Sequence, residues 1–234
     1  MANPQDNHPD TSSIREVSLD ASLNPRLPEI AIADICPDGT PIKIYHPEFE
    51  SGGVYPLELI CLCSIAAFFK PETIFEIGTF NGRTALNLAA NSPAGARLWT
   101  LDLPESFSGE TRLQVHDRDP KYIALRNVGS QYRSSRYRKK ITQLFGDSAS
   151  FDYSPYVGTI DLVLVDGAHS YDYVMNDSLK TLPLLTPGRG MMLWHDYGTW
   201  DEVTKALDSL YERNPDFAGL RHIRGTSLVI RPRI

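Results

Sequence analysis

From Pro56 onward the apolar positions switch repeatedly between a helical and an extended period, which predicts strand–helix units in a mostly parallel sheet with helices on both faces. Pro56 suits the first turn of a helix. Leu59, Leu62, Cys63, Ala66 and Phe69 supply its apolar stripe, and Pro71 stops it. A strand over 73–77, a helix over about 83–90 and a strand over 97–101 follow. After a polar, charged stretch at 104–140 come strands over 141–145 and 160–165. A helix over about 171–185 places Tyr171, Met175, Leu179 and Leu182 on one face, and Thr186-Pro187-Gly188 leads into a strand over 191–194. A helix over about 201–211 presents Val203, Leu207, Leu210 and Tyr211, and strands at 222–223 and 227–230, joined by Gly225, close the chain as a hairpin. The count is seven strands.

The N-terminal part lacks this order. Residues 1–28 are rich in Asn, Asp, Ser and Pro without a steady period, and read as a flexible tail or a segment that orders over a site. Residues 29–54 form an extension with short extended pieces, 42–45 among them. The expected domain therefore runs from 29 to 234, with 104–140 as an insertion shaping a substrate pocket.

Composition narrows the function classes. Of 234 residues, 41% are apolar and 22% charged, as in an ordinary globular domain, and the formal net charge of -6 argues against a nucleic-acid partner. Arg126, Arg133, Arg136, Arg138, Lys139 and Lys140 form one basic stretch, read as a solvated helix and loop or as a patch for an anion. The three cysteines, Cys36, Cys61 and Cys63, suit a reducing compartment, and 61 and 63 point in different directions on a helix. The start of the chain lacks a signal-peptide core, and the run 59–69 is too short to span a bilayer, so the expected location is cytoplasmic, without a membrane partner.

The chemistry concentrates where predicted strands end. The segment Phe75-Glu76-Ile77-Gly78-Thr79-Phe80-Asn81-Gly82 runs from a buried strand through a two-glycine turn into a helix. A dinucleotide loop would carry glycine at the first, third and sixth positions. Counting from Gly78, Phe80 and Arg83 stand at the later two, so a nicotinamide-dependent oxidoreductase is the weaker alternative. Asp102, Gly146-Asp147-Ser148, Asp166-Gly167-Ala168-His169 and His195-Asp196 end the next four strands, where open α/β sheets bind ligands.

The Glu-x-Gly-x-x-x-Gly spacing resembles the first motif of the class I S-adenosylmethionine-dependent methyltransferases. The stretch Asp166-Gly-Ala-His-Ser-Tyr, a helix, Leu-Thr-Pro-Gly, an apolar strand and His-Asp-Tyr resembles the branch of small-molecule O-methyltransferases of macrolide sugars and relatives associated with cephalosporin biosynthesis, over roughly 55–200. The resemblance implies a Rossmann-like sheet of seven mostly parallel strands with a C-terminal antiparallel hairpin. It implies methyl transfer from S-adenosylmethionine to an oxygen of a small secondary-metabolism acceptor, with Glu76, Gly78, Thr79, Phe80, Asn81, Gly82, Asp102, Asp147, Ser148 and Asp166 at the cofactor. Asp102 would accept the ribose hydroxyls and Asp147 would contact adenine, although a turn or helix cap explains Asp147 equally well by itself. A divalent cation, magnesium or another, is implied at Asp166, His195 and Asp196.

His195 stands where the family often has a second carboxylate, which shifts the ligand set towards a transition metal. The other reading is that the two acids bond backbone and His195 is a satisfied buried histidine, since neighbouring strand residues face opposite sides. His169 is a candidate general base or a packing group beside adenine, and His195 is the second candidate for proton transfer. Tyr171 and Trp194 read as core, and Tyr197 and Trp200 as acceptor-pocket residues. A binding protein that keeps the cofactor pocket without transfer chemistry is the other alternative. Relatives of this kind often associate, so a homodimer using the 57–69 helix is open.

Overall fold

The computed structural model describes residues 20–37 and 39–232; the tail at 1–19 lies outside them. Its eight strands are β1 (Glu29–Ile30), β2 (Thr73–Ile77), β3 (Arg97–Asp102), β4 (Ile141–Phe145), β5 (Leu162–Val165), β6 (Met191–Trp194), β7 (Arg221–Ile223) and β8 (Val229–Arg231). They form one sheet in the order β1-β7-β8-β6-β5-β2-β3-β4. β2 to β6 run parallel, while β8 is antiparallel to β6 and β7. The eighth strand, absent from the sequence reading, is β1, which pairs with β7 through only two residues.

Each central strand is buried on both faces, as a parallel sheet between two helical layers requires. Ile74, Leu162, Leu164, Met191 and Leu193 face one core with helices α2 (Pro56–Phe69) and α3 (Arg83–Asn91). Phe75, Ile77, Val163, Val165, Met192 and Trp194 face the other, with α6 (Tyr171–Thr181) and α7 (Asp201–Arg213). This period-2 sorting decides where residues just beyond each strand end begin. Short helices α1 (Ile32–Ile35), α4 (Asp119–Leu125) and α5 (Ser130–Arg133) complete the set. No described helix is long and apolar enough to cross a membrane.

Two expectations need correction. Residues 42–45 are not a strand, because helix side chains take their backbone partners. Asn91 exchanges hydrogen bonds with the main chain of Lys43, and Asn87 does so with Tyr45, four residues apart on α3 and two apart on the 42–45 segment. The inner face of α6 is Tyr173, Val174, Asp177, Ser178 and Thr181, whereas Leu179 is exposed. Polar groups are tolerated there because Ser178 accepts from the Trp194 indole and donates to Val174, while Thr181 donates to Asp177.

The basic stretch does not form one patch. Lys140 donates to the carbonyls of Ala89, Ser92 and Pro93 at the C-terminal end of α3, Arg133 bonds Val128 and Glu105, and Arg126 turns inward. Residues 20–27 lie against the 197–208 region: Tyr197 Oη accepts from the amides of Arg26 and Leu27 and donates to Asp208. All three cysteines are free and buried.

Candidate functional site

The chain runs β2, β3, β4 outward and then crosses back to β5 and β6, so β2 and β5 are the central neighbours where the winding reverses. Ligands in open α/β sheets bind at the carboxyl ends of strands at such a reversal. A cavity of about 460 Å³ opens there, lined from the ends of β2 through β6 and by the 49–55 loop and α4.

Gly78 sets the approach of the two central strands. Its φ is +95°, and a Cβ would sit 1.8 Å from the Asp166 carbonyl oxygen, so no other residue fits. The loop after it is held from β3: Asp102 Oδ2 accepts from the amides of Thr79 and Phe80 at 3.0 and 2.9 Å, and Oδ1 from Leu103. Gly78, Phe80, Asp102, Asp147, Ser148 and Asp166 line the cavity as the sequence suggested.

The remaining expected cofactor residues do not line it. Glu76 alternates onto the α2/α3 face and is fully buried, accepting from the Thr100 hydroxyl, with its other oxygen unpartnered among the described residues; burial pushes its carboxyl up to about 8. Thr79 turns to Thr100 and Gln143, Asn81 donates to Glu50 at 2.6 Å, and Gly82 packs on the Tyr132 ring. Their work is on the loop and its surroundings. Arg83, also buried, donates to the carbonyls of His46 and Val54, so the glycine motif and the helix it opens pin the 46–54 segment that walls the cavity.

At the β5 and β6 ends the alternation sends Asp166 and His195 to the α2 side. His195 Nε2 meets Glu58 Oε2 at 2.9 Å, and its Nδ1 lies 3.0 Å from Asp166 Oδ1 and 3.1 Å from Asp196 Oδ2. The objection that neighbouring residues face apart is resolved by Asp196, whose φ of +71° ends the strand and swings its carboxylate back. One donor atom each from Asp166, His195 and Asp196 lie within 4.8 Å of one another. Burial opposes charge on His195, but Asp196, Asp166 and Glu58 outweigh it and hold the imidazole well above its usual range.

His169 bridges two acids, Nδ1 to Asp119 Oδ1 at 2.5 Å and Nε2 to Asp196 Oδ2 at 2.9 Å. Burial again works against its charge, and these hydrogen bonds prevail, raising it to about 9. Its ring stacks on Trp200 at 3.8 Å, and the Arg118 guanidinium also lies 3.8 Å from the Trp200 ring centre. Trp200 lines the cavity as expected. Tyr197 does not, being committed to residues 26–27, and Tyr173 takes a place in the lining instead. Trp194 is core and Tyr171 is half-buried.

Glu58 and Asp119 were missed by sequence reasoning. Both sit in helical first turns, where an acid ordinarily reads as a helix-dipole or capping residue, and only tertiary contact brings them to histidines 137 and 50 residues away respectively.

Comparison with known proteins agrees with this architecture. A family model described as a methyltransferase domain matches residues 75–197. No curated protein sequence matches the chain. Among solved structures, an S-adenosylhomocysteine-bound methyltransferase of Podospora anserina, PaMTH1, is 18% identical, with 76% of this chain and 78% of that one covered at a TM-score of 0.54. Cofactor-bound Rv0187 from MTB is 15% identical, covering 79% and 83% at a TM-score of 0.52. At these identities the likeness is one of fold. The matched segment begins inside β2 and ends just past Asp196, so it contains every strand end that builds the cavity, and by that match the chain belongs to the methyltransferase-domain family.

Proposed function

We propose that the chain transfers a methyl group from S-adenosylmethionine to an oxygen of a small-molecule acceptor, with a divalent cation at Asp166, His195 and Asp196. The observation that carries this reading is the continuity of one cavity from the Gly78 loop to the histidine–carboxylate cluster. Its titratable lining is mainly acidic: Asp102, Asp119, Asp147, Asp166 and Asp196 against the guanidinium of Arg126 and the imidazoles of His169 and His195. Such a lining suits a cationic sulfonium and repels a pyrophosphate, which disfavours the oxidoreductase alternative. Two carboxylates and an imidazole whose far nitrogen is held by a buried acid are a reasonable donor set for a divalent ion.

When bound, S-adenosylmethionine supplies an electrophilic methyl group. A cation at the cluster supplies positive charge that favours the ionised form of an acceptor hydroxyl. The chain supplies position and a proton site. Phe80 and Asp102 would border the cofactor, while Tyr122, Trp200 and the 49–55 loop line the part of the cavity left for the acceptor and would position it. His169 has Nδ1 tied to Asp119 and Nε2 facing Asp196; with Asp196 turned to a cation and the ring neutral, Nε2 would be the atom to receive the acceptor proton. Residues 104–140 give the acceptor wall its shape through Thr111, Val115, Tyr122 and Ile123. Exposed Ile60 and Phe68 on α2 support association into a homodimer, and the buried thiols suit a cytoplasmic setting.

Calorimetric titration of the purified chain with S-adenosylhomocysteine tests the cofactor assignment, with micromolar binding expected. His169→Gln should keep that binding and lose at least about 100-fold in turnover on any accepted hydroxyl substrate. Absence of binding overturns the enzyme reading, and unchanged turnover in the variant overturns the role of His169.

A further inference from the structure

We infer that Glu58 and His195 act as a pair to make the cluster a mixed nitrogen–oxygen site that prefers a divalent transition ion to magnesium. The inference rests on the cation reading above and goes further, to the kind of ion and to the residue that decides it.

Glu58 has no exposed surface and no spare capacity. Its Oε1 accepts from the amide and hydroxyl of Ser227 at 2.8 and 2.7 Å, and its Oε2 accepts from the Tyr55 amide at 2.7 Å and faces His195 Nε2 at 2.9 Å. Four donors converge on this carboxylate from three parts of the chain, so it cannot rotate away. An ionised carboxylate only accepts, and the group facing it must therefore carry a hydrogen on Nε2. In the neutral imidazole this leaves the lone pair on Nδ1, the atom pointed at Asp166 and Asp196. Once a cation displaces the Nδ1 hydrogen, the histidine would thus keep its Nε2 hydrogen and its orientation for ligation through a residue on α2, outside the strand ends.

The same geometry explains why a histidine stands here. A carboxylate at 195 would meet Glu58 as a buried like charge, with no hydrogen to share. Glu58 and an oxygen-only ligand set are incompatible. With the imidazole in place the donors are one nitrogen and two carboxylates, and Ser227 Oγ, which Glu58 fixes, accepts from the amide of the ligand Asp196. Magnesium takes oxygen donors in a strict octahedron, whereas imidazole suits later first-row ions. Loss of a carboxylate that orients a ligating histidine typically costs 10–100-fold in metal affinity.

The test uses the full chain, stripped with chelator and titrated separately with Co2+ and Mg2+ by calorimetry, with the visible d–d absorption of Co2+ as an independent readout. Wild type should bind Co2+ at least about 100-fold more tightly than Mg2+. Glu58→Gln should weaken Co2+ by about 10–100-fold while moving Mg2+ much less. The double variant Glu58→Gln/His195→Asp, which removes the like-charge conflict, should narrow the Co2+/Mg2+ ratio by at least about tenfold. A wild-type ratio below about ten, or equal losses for both ions in Glu58→Gln, overturns the inference and leaves a cation site standing. Failure of both ions to bind wild type removes the cation reading and this inference with it. The wild-type ratio decides even where a variant misfolds.

Discussion

Asp177 offers a perturbation whose size follows from burial alone. It lies on the inner face of α6 with no exposed surface; Asn176 donates to Oδ1, and Oδ2 has no hydrogen-bond partner among the described residues. Desolvation, the largest influence, pushes its carboxyl from 3.8 up to about 7, with Ser148 and Asn176 only partly opposing the rise. Because the folded value is the higher one, the folded protein holds the proton more tightly. Stability from this group is complete below pH ~4 and declines as pH rises to about 7. At about 1.36 kcal/mol per unit, wild type should lose roughly 2–3 kcal/mol through Asp177 between pH 5 and pH 7. Asp177→Asn cannot titrate. It carries a pH-independent cost of about 1–3 kcal/mol for an amide nitrogen left without an acceptor, so the variant should be the weaker at pH 5 and close the gap or overtake wild type by pH 8. Urea unfolding of both proteins at several pH values measures this, and other titrating groups such as Glu76 cancel in the comparison. Stability curves that stay parallel from pH 5 to 8 would refute the assignment of a strongly raised Asp177.

Three further outcomes are expected. Gly78→Ala should abolish S-adenosylhomocysteine binding by calorimetry and lower the melting temperature, because the added methyl meets the Asp166 carbonyl and positive φ adds about 1–2 kcal/mol of strain. Tyr197→Phe should cost about 1–3 kcal/mol in chemical denaturation and speed proteolysis near residues 20–27, since two amides and Asp208 lose their shared hydroxyl. The activity of the wild-type enzyme should rise with pH towards about 9, because His169 must shed its proton to act as a base and its neighbours hold that proton; a flat profile from pH 6 to 9 would count against that role.

The sequence by itself determined the elements whose pattern is local. The short apolar runs of β2, β5 and β6, bounded by turn residues, read as strands covered on both faces, and Gly78 announces a close backbone approach that its position at a strand end explains. Most cavity acids were legible for the same reason: Asp102, Asp147, Asp166 and Asp196 stand at strand ends, and a parallel sheet brings such ends together whatever the loops do. The tertiary structure decided what depends on partners distant in the chain. Residues 42–45 look like a strand and are not one, because two asparagines of α3 take the hydrogen bonds a neighbouring strand would have taken. Glu76, Thr79, Asn81 and Gly82 share the motif with Gly78, but alternation and the turn direct them away from the cavity. Glu58 and Asp119 look like ordinary helix-start acids until the packing of α2 and α4 sets them against His195 and His169. Periodicity reports which face a residue occupies, because burial repeats with the backbone. It does not report which polar group waits on that face, because a hydrogen bond joins single atoms whose meeting is settled only when the layers pack.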